Sequence, residues 1–288
     1  MTYTEALHYL DSFINYEKQD AYDYRSSLDL ERVKRFIRLL GDPHKGIKSI
    51  HIAGSKGKGS TAAFVHSILK EAGLRTGLYT SPHLISFRER IRINDTLISE
   101  DDIAKLSGKL KNVIDGMEKE DIPSFFEVYT ALCHMYFKEQ KVDIAVYEVG
   151  MGGRLDATNV IDPLVSAITP VSYEHTQKLG PTLSRIAMEK GGIIKENTVC
   201  VSAPQEEEAL NSINEICVGK SAKLVLVGRD IKFEAISSSE EREIFNVYSP
   251  RGEYLKLRTK LLGPHQVMNA ATAIGIVEEL GLHGINIR

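Results

Sequence analysis

Ser49-Ile50-His51-Ile52-Ala53-Gly54-Ser55-Lys56-Gly57-Lys58-Gly59-Ser60-Thr61 passes from a mostly apolar run into a segment with three glycines and two lysines. Its first five residues read as a short buried strand, and apolar residues at helical spacing predict a helix from Thr61 to Ala72, ended by Gly73. Thr76-Gly77-Leu78-Tyr79-Thr80 reads as the next strand, which makes a βαβ unit with a glycine-rich loop at its first turn. Glycines let backbone N–H groups close around phosphate oxygens, and a helix N-terminus adds a positive field. Gly54, Ser55, Lys56, Gly57, Lys58, Gly59, Ser60 and Thr61 are therefore the candidate nucleotide-phosphate site. A glycine-rich turn with solvated lysines has the same local composition, so the rest of the chain must decide.

Towards the N-terminus, Thr2 and Glu5 have capping-box spacing before Leu7, Leu10, Phe13 and Ile14, and a second amphipathic run from Leu30 to Leu40 stops at Gly41-Asp42-Pro43. Both predict helices. Towards the C-terminus, a helix over Phe126–Glu139 leads into the apolar run Val142–Glu148, and Leu164–Thr169, Thr198–Val201 and Leu224–Val227 read as further strands. A helix is expected from Gln205, a hairpin-like excursion over Ile231–Leu262, and a final helix over Gln266–Leu280. The alternation predicts an α/β fold: a doubly wound, mostly parallel sheet with a variant phosphate loop and a small β excursion near the C-terminus.

The loop departs from the strict phosphate-loop pattern. Ile52 stands where a glycine is expected five residues before Gly57-Lys58, and Gly59 replaces the hydroxyl that ordinarily binds magnesium after the lysine. Another oxygen must serve, and Ser81, just past the next strand, is placed to supply it, although a Ser-Pro turn uses the same residues. Glu148 ends an apolar strand beside the glycine-rich segment Gly150–Gly153, a position that suits a hard cation. Glu174-His175 follows the strand around Ile168, so His175 is expected at the same sheet edge. Lys190, in Met188-Glu189-Lys190-Gly191, reads by itself as a surface helix lysine.

Composition limits the partners. With 36 Lys and Arg against 39 Asp and Glu, the formal charge of -3 gives no general grip on nucleic acid or an anionic membrane. No run of about 18 apolar residues predicts a membrane span. Cys133, Cys200 and Cys217 are odd in number and widely spaced, which fits a reducing cytoplasm better than a disulfide framework or a zinc site.

Six ordered blocks carry a resemblance: Ile50–Ser60, Gly77–Asn94, Ser124–Thr130, Val142–Val160, Leu183–Lys195 and Gly263–Ala271. Together they resemble the Mur ligase superfamily, in particular its folate branch of dihydrofolate and folylpolyglutamate synthases. The resemblance implies a monomeric ligase working with ATP and Mg2+: a carboxylate of dihydropteroate or a folate is phosphorylated, and L-glutamate attacks the acyl phosphate. It implies phosphate contacts from Lys58 and its neighbours and a magnesium site from Ser81, Glu148 and His175. It further implies a carbamylated Lys190, an acceptor pocket at Ser124, Phe125, Phe126 and Glu127 with one phenylalanine stacked on the pterin, and a nucleotide contact from Asn269. Lys58, His175 and Lys190 are the expected catalytic set.

Lys56 in place of the branch's usual Asn and Glu174 in place of Asp are departures from the pattern. The family carries a further glutamate-binding C-terminal domain. Because this chain stops near the expected linker, residues 1–288 are expected to be the ATP-binding domain alone and inactive in ligation by themselves. Two rival readings stay open, a Mur ligase acting on another carboxylate and a non-catalytic nucleotide-binding module.

Overall fold

In a computed structural model, which describes residues 1–19, 22 and 24–287, the glycine loop lies at the centre of an eight-stranded sheet. The strands are β1 (Ser49–Ala53), β2 (Thr76–Tyr79), β3 (Ile91–Ile93), β4 (Thr96–Leu97), β5 (Ile144–Glu148), β6 (Val165–Ile168), β7 (Val199–Ser202) and β8 (Lys223–Leu226), in the order β4-β3-β2-β5-β1-β6-β7-β8. β2, β5, β1, β6, β7 and β8 run parallel, while β3 and β4 add an antiparallel edge. The doubly wound expectation holds.

The helices are α1 (Tyr3–Asp11), α2 (Tyr24–Ser27), α3 (Leu30–Leu39), α4 (Lys58–Glu71), α5 (Glu100–Ile114), α6 (Phe125–Glu139), α7 (Thr176–Leu179), α8 (Leu183–Gly191), α9 (Glu207–Gly219) and α10 (Pro264–Glu279). Alternate strand residues feed opposite faces, both buried. Ile144 and Val146 join Ile50 and Ile52 in the core under α4 and α10, while Ala145 and Tyr147 pack with the α5 and α6 side. Burial on both faces explains why these strands read as continuous apolar runs rather than alternating ones.

The excursion is a three-stranded antiparallel sheet rather than a hairpin, ordered β11-β10-β9 from β9 (Lys232–Ser238), β10 (Glu243–Ser249) and β11 (Gly252–Thr259). Phe233, Phe245, Val247 and Tyr254 pack in the same core as α10. α5 escaped the sequence reading, although Ser99 caps it and Glu100, Asp101 and Asp102 favour the positive end of its dipole.

The loop helix also begins earlier than expected, at Lys58 instead of Thr61. Gly57, at φ 83°, is its N-cap in the left-handed region, and Gly59 lies within the first turn. Glycines read as loop in a sequence can therefore belong to a helix end.

Candidate functional site

The loop after β1 carries the first half of the site. Gly57 offers α4 no capping side chain, so the amides of the first turn are left for an anion. Its φ of 83° and its contact with Asn269, whose Oδ1 would lie 2.5 Å from a Cβ at that position, both demand glycine. Buried Asn269 belongs to α10 and donates from Nδ2 to Gln266 Oε1 at 3.1 Å, and Gln266 reaches Ser60 Oγ at 3.4 Å. The α10 N-terminus thereby braces the loop. Ser55 is tied to the β6 side by a bond to Ser172 O, whereas Lys56 is exposed. The Lys58 amine donates to Gly54 O at 3.0 Å.

Adjacent strands bring the acidic groups to this loop. β2, β5, β1 and β6 are neighbours in the sheet, so the residues following them share one edge. Glu148, at the end of β5, accepts from Ser81 N at 3.2 Å, and both its oxygens lie 3.5 Å from where a Cβ would sit on Gly59. Burial pushes the Glu148 carboxyl up to about 7, opposed by nearby Lys58 and the Ser81 amide. A buried carboxylate with so little countercharge suits a divalent cation; among the described residues no cluster of three or more His, Cys, Asp or Glu surrounds it, and Glu148 and Ser81 are the residues that could hold one.

Lys190 is no surface lysine: it is 2% exposed. On α8, Leu183, Ile186, Ala187 and Lys190 form the i, i+3, i+4, i+7 stripe that faces inward, a pattern already present in the sequence. Its amine donates to Gly54 O at 2.9 Å and to Glu174 Oε1 at 2.5 Å. Burial lowers its pKa to about 8, with Glu174 pulling the other way and Lys58 adding to the depression. Glu174 is itself held below the usual range: burial acts upward but is outweighed by Lys190, Lys58 and a bond from Ser55. Its next neighbour His175 is exposed, at φ 46°, as the N-cap of the four-residue α7. Ser81, Glu148, Gly54 and Lys190 are thus drawn together, while His175 lies at the rim.

A second, open cleft lies on the other side of the turn that follows Glu148. Ser124, Phe126, Glu127, Gly150, Leu28 and Asp156 line it, together with Tyr16, Glu17 and Tyr22. Phe125, in contrast, is fully buried in the core, with the Arg90 guanidinium 5.4 Å from its ring centroid. Of the two phenylalanines, Phe126 is therefore the one that faces the cleft. Glu127 is partly spent on structure, since it accepts from Ser124 N at 2.7 Å and from Arg32 Nη2 at 2.6 Å.

Asp156 escaped the sequence reading, as did Glu17; an aspartate after a glycine turn gives no sign of which way it points. It is 3% exposed, and burial raises its pKa against hydrogen bonds from Thr158 and from the Met151 and Gly150 amides.

The glycine turn joins the two halves. A Cβ on Gly150 would lie 2.6 Å from Phe126 Cζ, one on Gly152 2.4 Å from Tyr24 Oη, and one on Gly153 2.8 Å from the carbonyl oxygens of Glu189 and Lys190. The glycine loop, the buried Glu148 and the cleft lined by Phe126 thus share one wall.

This arrangement agrees with a family match: residues 52–277 fit the Mur ligase middle domain. The chain belongs to the Mur ligase family. It is 38% identical over 262 residues to the dihydrofolate synthase/folylpolyglutamate synthase of Bacillus subtilis, covering 89% of this chain and 60% of that protein. Among solved structures, the folylpolyglutamate synthase of Thermotoga maritima aligns with a TM-score of 0.86 at 38% identity, over 97% of this chain and 62% of the other. An FPGS–AMPPCP–folate complex aligns with a TM-score of 0.92 at 30% identity, over 100% of this chain and 69% of the other. The chain thus spans about 60% of the length of the Bacillus subtilis relative. Within the Mur ligase family, the variant loop and its glycine at position 59 sit on a helix that starts one residue after Gly57.

Proposed function

We propose that this chain is the nucleotide-binding part of an ATP-dependent carboxylate–amine ligase that joins L-glutamate to a pteroate or folate acceptor through an acyl phosphate. The observation that carries the reading is the shared wall. The turn after Glu148 has the glycine loop, Glu148 and Lys190 on one side and, on the other, the cleft lined by Phe126 and Asp156, where a flat heterocycle would sit. An acceptor seated there is held beside the phosphates, so the gain is chiefly one of proximity and orientation.

In this reading the first-turn amides of α4 and Lys58 bind ATP phosphates, Asn269 holds the loop against the nucleotide, and Ser81 and Glu148 hold Mg2+, with His175 completing the set from the rim. Magnesium supplies charge neutralisation on the transferring phosphate. Lys190, buried and partly neutral near pH 8, is the candidate carbamate, which would turn a cation into an anionic oxygen ligand. In the cleft, Phe126 covers one face of the ring. Asp156, whose ionised form burial disfavours, gains most from a ligand edge rich in N–H donors, such as the amino-pyrimidine side of a pterin. A cytoplasmic location is proposed with it, in keeping with three free, buried cysteines.

Calorimetric titration of the purified chain with AMPPCP, with and without Mg2+, and then with pteroate, tests the reading. Magnesium-assisted nucleotide binding and separate pteroate binding are expected. Binding of nucleotide with no affinity for any pteroate would instead favour a Mur ligase acting on a different carboxylate.

A further inference from the structure

The cleft has a support that reaches through the sheet. Asp156 Oδ1 accepts from Thr158 N at 3.0 Å and from Thr158 Oγ1 at 2.5 Å, while Oδ2 accepts from Met151 N at 2.9 Å. Thr158 Oγ1 in turn lies 2.7 Å from Nε2 of His51, in the middle of β1. Thr158 and His51 are both fully buried, and neither lines the cleft.

Proton counting gives this line a direction. A threonine hydroxyl has one hydrogen and an ionised carboxylate has none, so the Thr158 hydrogen must lie towards Asp156. The contact between Thr158 and His51 then needs a hydrogen from the imidazole, which assigns the His51 proton to Nε2. Nδ1 of His51 has no hydrogen-bond partner among the described residues, as expected for the unprotonated nitrogen of a neutral ring in an apolar place. Burial, and then the nearby Lys195 and His134, keep that ring neutral. Every donor in the line therefore points towards the carboxylate.

We infer that His51 and Thr158 are positioning residues for Asp156: the sequence His51 Nε2–H to Thr158 Oγ–H to Asp156 Oδ1 pins one carboxylate oxygen and, with the Met151 amide on Oδ2, orients the remaining lone pair of Oδ2 towards the N–H edge of the acceptor heterocycle. The inference rests on the reading of the cleft as the acceptor site. It goes beyond that reading because neither residue touches the acceptor. An aspartate that merely capped the short turn Ala157–Val160 would need only the Thr158 amide, not a hydroxyl backed by a buried histidine.

The test measures pteroate and AMPPCP affinities of the whole chain by calorimetry, alongside thermal stability. Thr158→Val keeps the shape and removes the hydroxyl; it should weaken pteroate by roughly 3- to 30-fold, less than the roughly 10- to 150-fold of a hydrogen bond made directly to a charged ligand group because the hydroxyl acts through Asp156, with AMPPCP affinity unchanged. Thr158→Ser should bind pteroate within about twofold of the parent, because the hydroxyl is restored. His51→Leu should weaken pteroate by roughly 3- to 10-fold, and His51→Gln, whose amide nitrogen reaches the Nε2 position, should recover most of it.

Equal pteroate affinity in Thr158→Val and the parent overturns the inference. So does impairment of Thr158→Ser as deep as that of Thr158→Val, which would indicate packing, or a parallel fall in AMPPCP affinity. Asp156→Asn separates the two levels: if it loses pteroate while Thr158→Val does not, the cleft reading stands and the relay falls. If Asp156→Asn binds pteroate normally, both fall.

Discussion

Lys58 and Lys190, from different helices, donate to one acceptor: their amines lie 3.0 and 2.9 Å from the carbonyl oxygen of Gly54. Lys190 also pairs with Glu174, whereas the described hydrogen bonds give the Lys58 amine only this neutral carbonyl, and the Lys58 charge helps lower the Lys190 pKa. A polyphosphate on the α4 N-terminus offers Lys58 a far better acceptor. Lys58→Ala should therefore weaken AMPPCP binding by about 1.5–3 kcal/mol, roughly 10- to 150-fold, with little change in melting temperature. Unaltered affinity in a calorimetric titration would rule out the phosphate contact.

Lys190 has its own pH signature. Its folded pKa of about 8 lies below the ordinary 10.5, so the cost of burying the charged amine is full below pH 8 and is relieved as pH rises towards 10.5. Over the same range the neutral amine becomes available to carbon dioxide, forming a carbamate with release of a proton. Labelled 13C-bicarbonate at pH 8–8.5 should give a protein carbamate signal that Lys190→Ala lacks. In a full-length relative, the same substitution should abolish ligation and respond to added short carboxylic acids. Full ligation without such additives would remove Lys190 from the machinery.

Glu148 titrates in the opposite sense. Its folded pKa, raised to about 7 from 4.5, means that no penalty exists below 4.5, that it grows as pH rises between these values, and that it is full above 7. At about 1.4 kcal/mol per unit, Glu148→Gln should be more stable than the parent at pH 8 in the absence of metal by up to about 3 kcal/mol, and equal to it near pH 4. Magnesium with nucleotide should reverse the order, because only the carboxylate repays a cation. Chemical denaturation at the two pH values, with and without Mg2+ and AMPPCP, checks both signs.

Two glycines of the turn should respond differently to alanine. At Gly150 the new methyl meets the tip of the Phe126 ring, which can yield into the cleft, so stability should fall by only about 1 kcal/mol while pteroate affinity drops. At Gly153 it meets backbone carbonyls of Glu189 and Lys190, which cannot yield without moving α8. That variant should lose about 3 kcal/mol and bind nucleotide less well. Equal effects of the two on stability would show that the turn is more pliable than its contacts imply.

The sheet, most helices and the glycine-rich loop were legible because each leaves a local mark. Buried parallel strands are apolar runs, helices repeat at 3.6 residues, and a loop that must wrap an anion needs glycine. Even the inward direction of Lys190 was written in its spacing from Leu183, Ile186 and Ala187, though a lysine in that register is easily taken for the polar face. α5 was overlooked despite a capped, acidic start.

What no local pattern contained is which side chains meet. The strand order sets Glu148 beside Gly59 and the Gly54 carbonyl beside Lys190, and it follows from hydrogen-bonded pairing between segments about a hundred residues apart. Phe125 and Phe126 are adjacent and chemically identical, yet one is core and the other cleft wall, because successive helical side chains point about 100° apart and only packing chooses the buried direction. His51 reads as one polar residue in a buried strand; its bond to Thr158, and through it to Asp156, exists only once β1 lies under the turn that follows β5. Sequence by itself determined the elements and the chemistry available at their ends. The tertiary structure decided the partners, since pKa, tautomer and exposure depend on distances that folding alone creates.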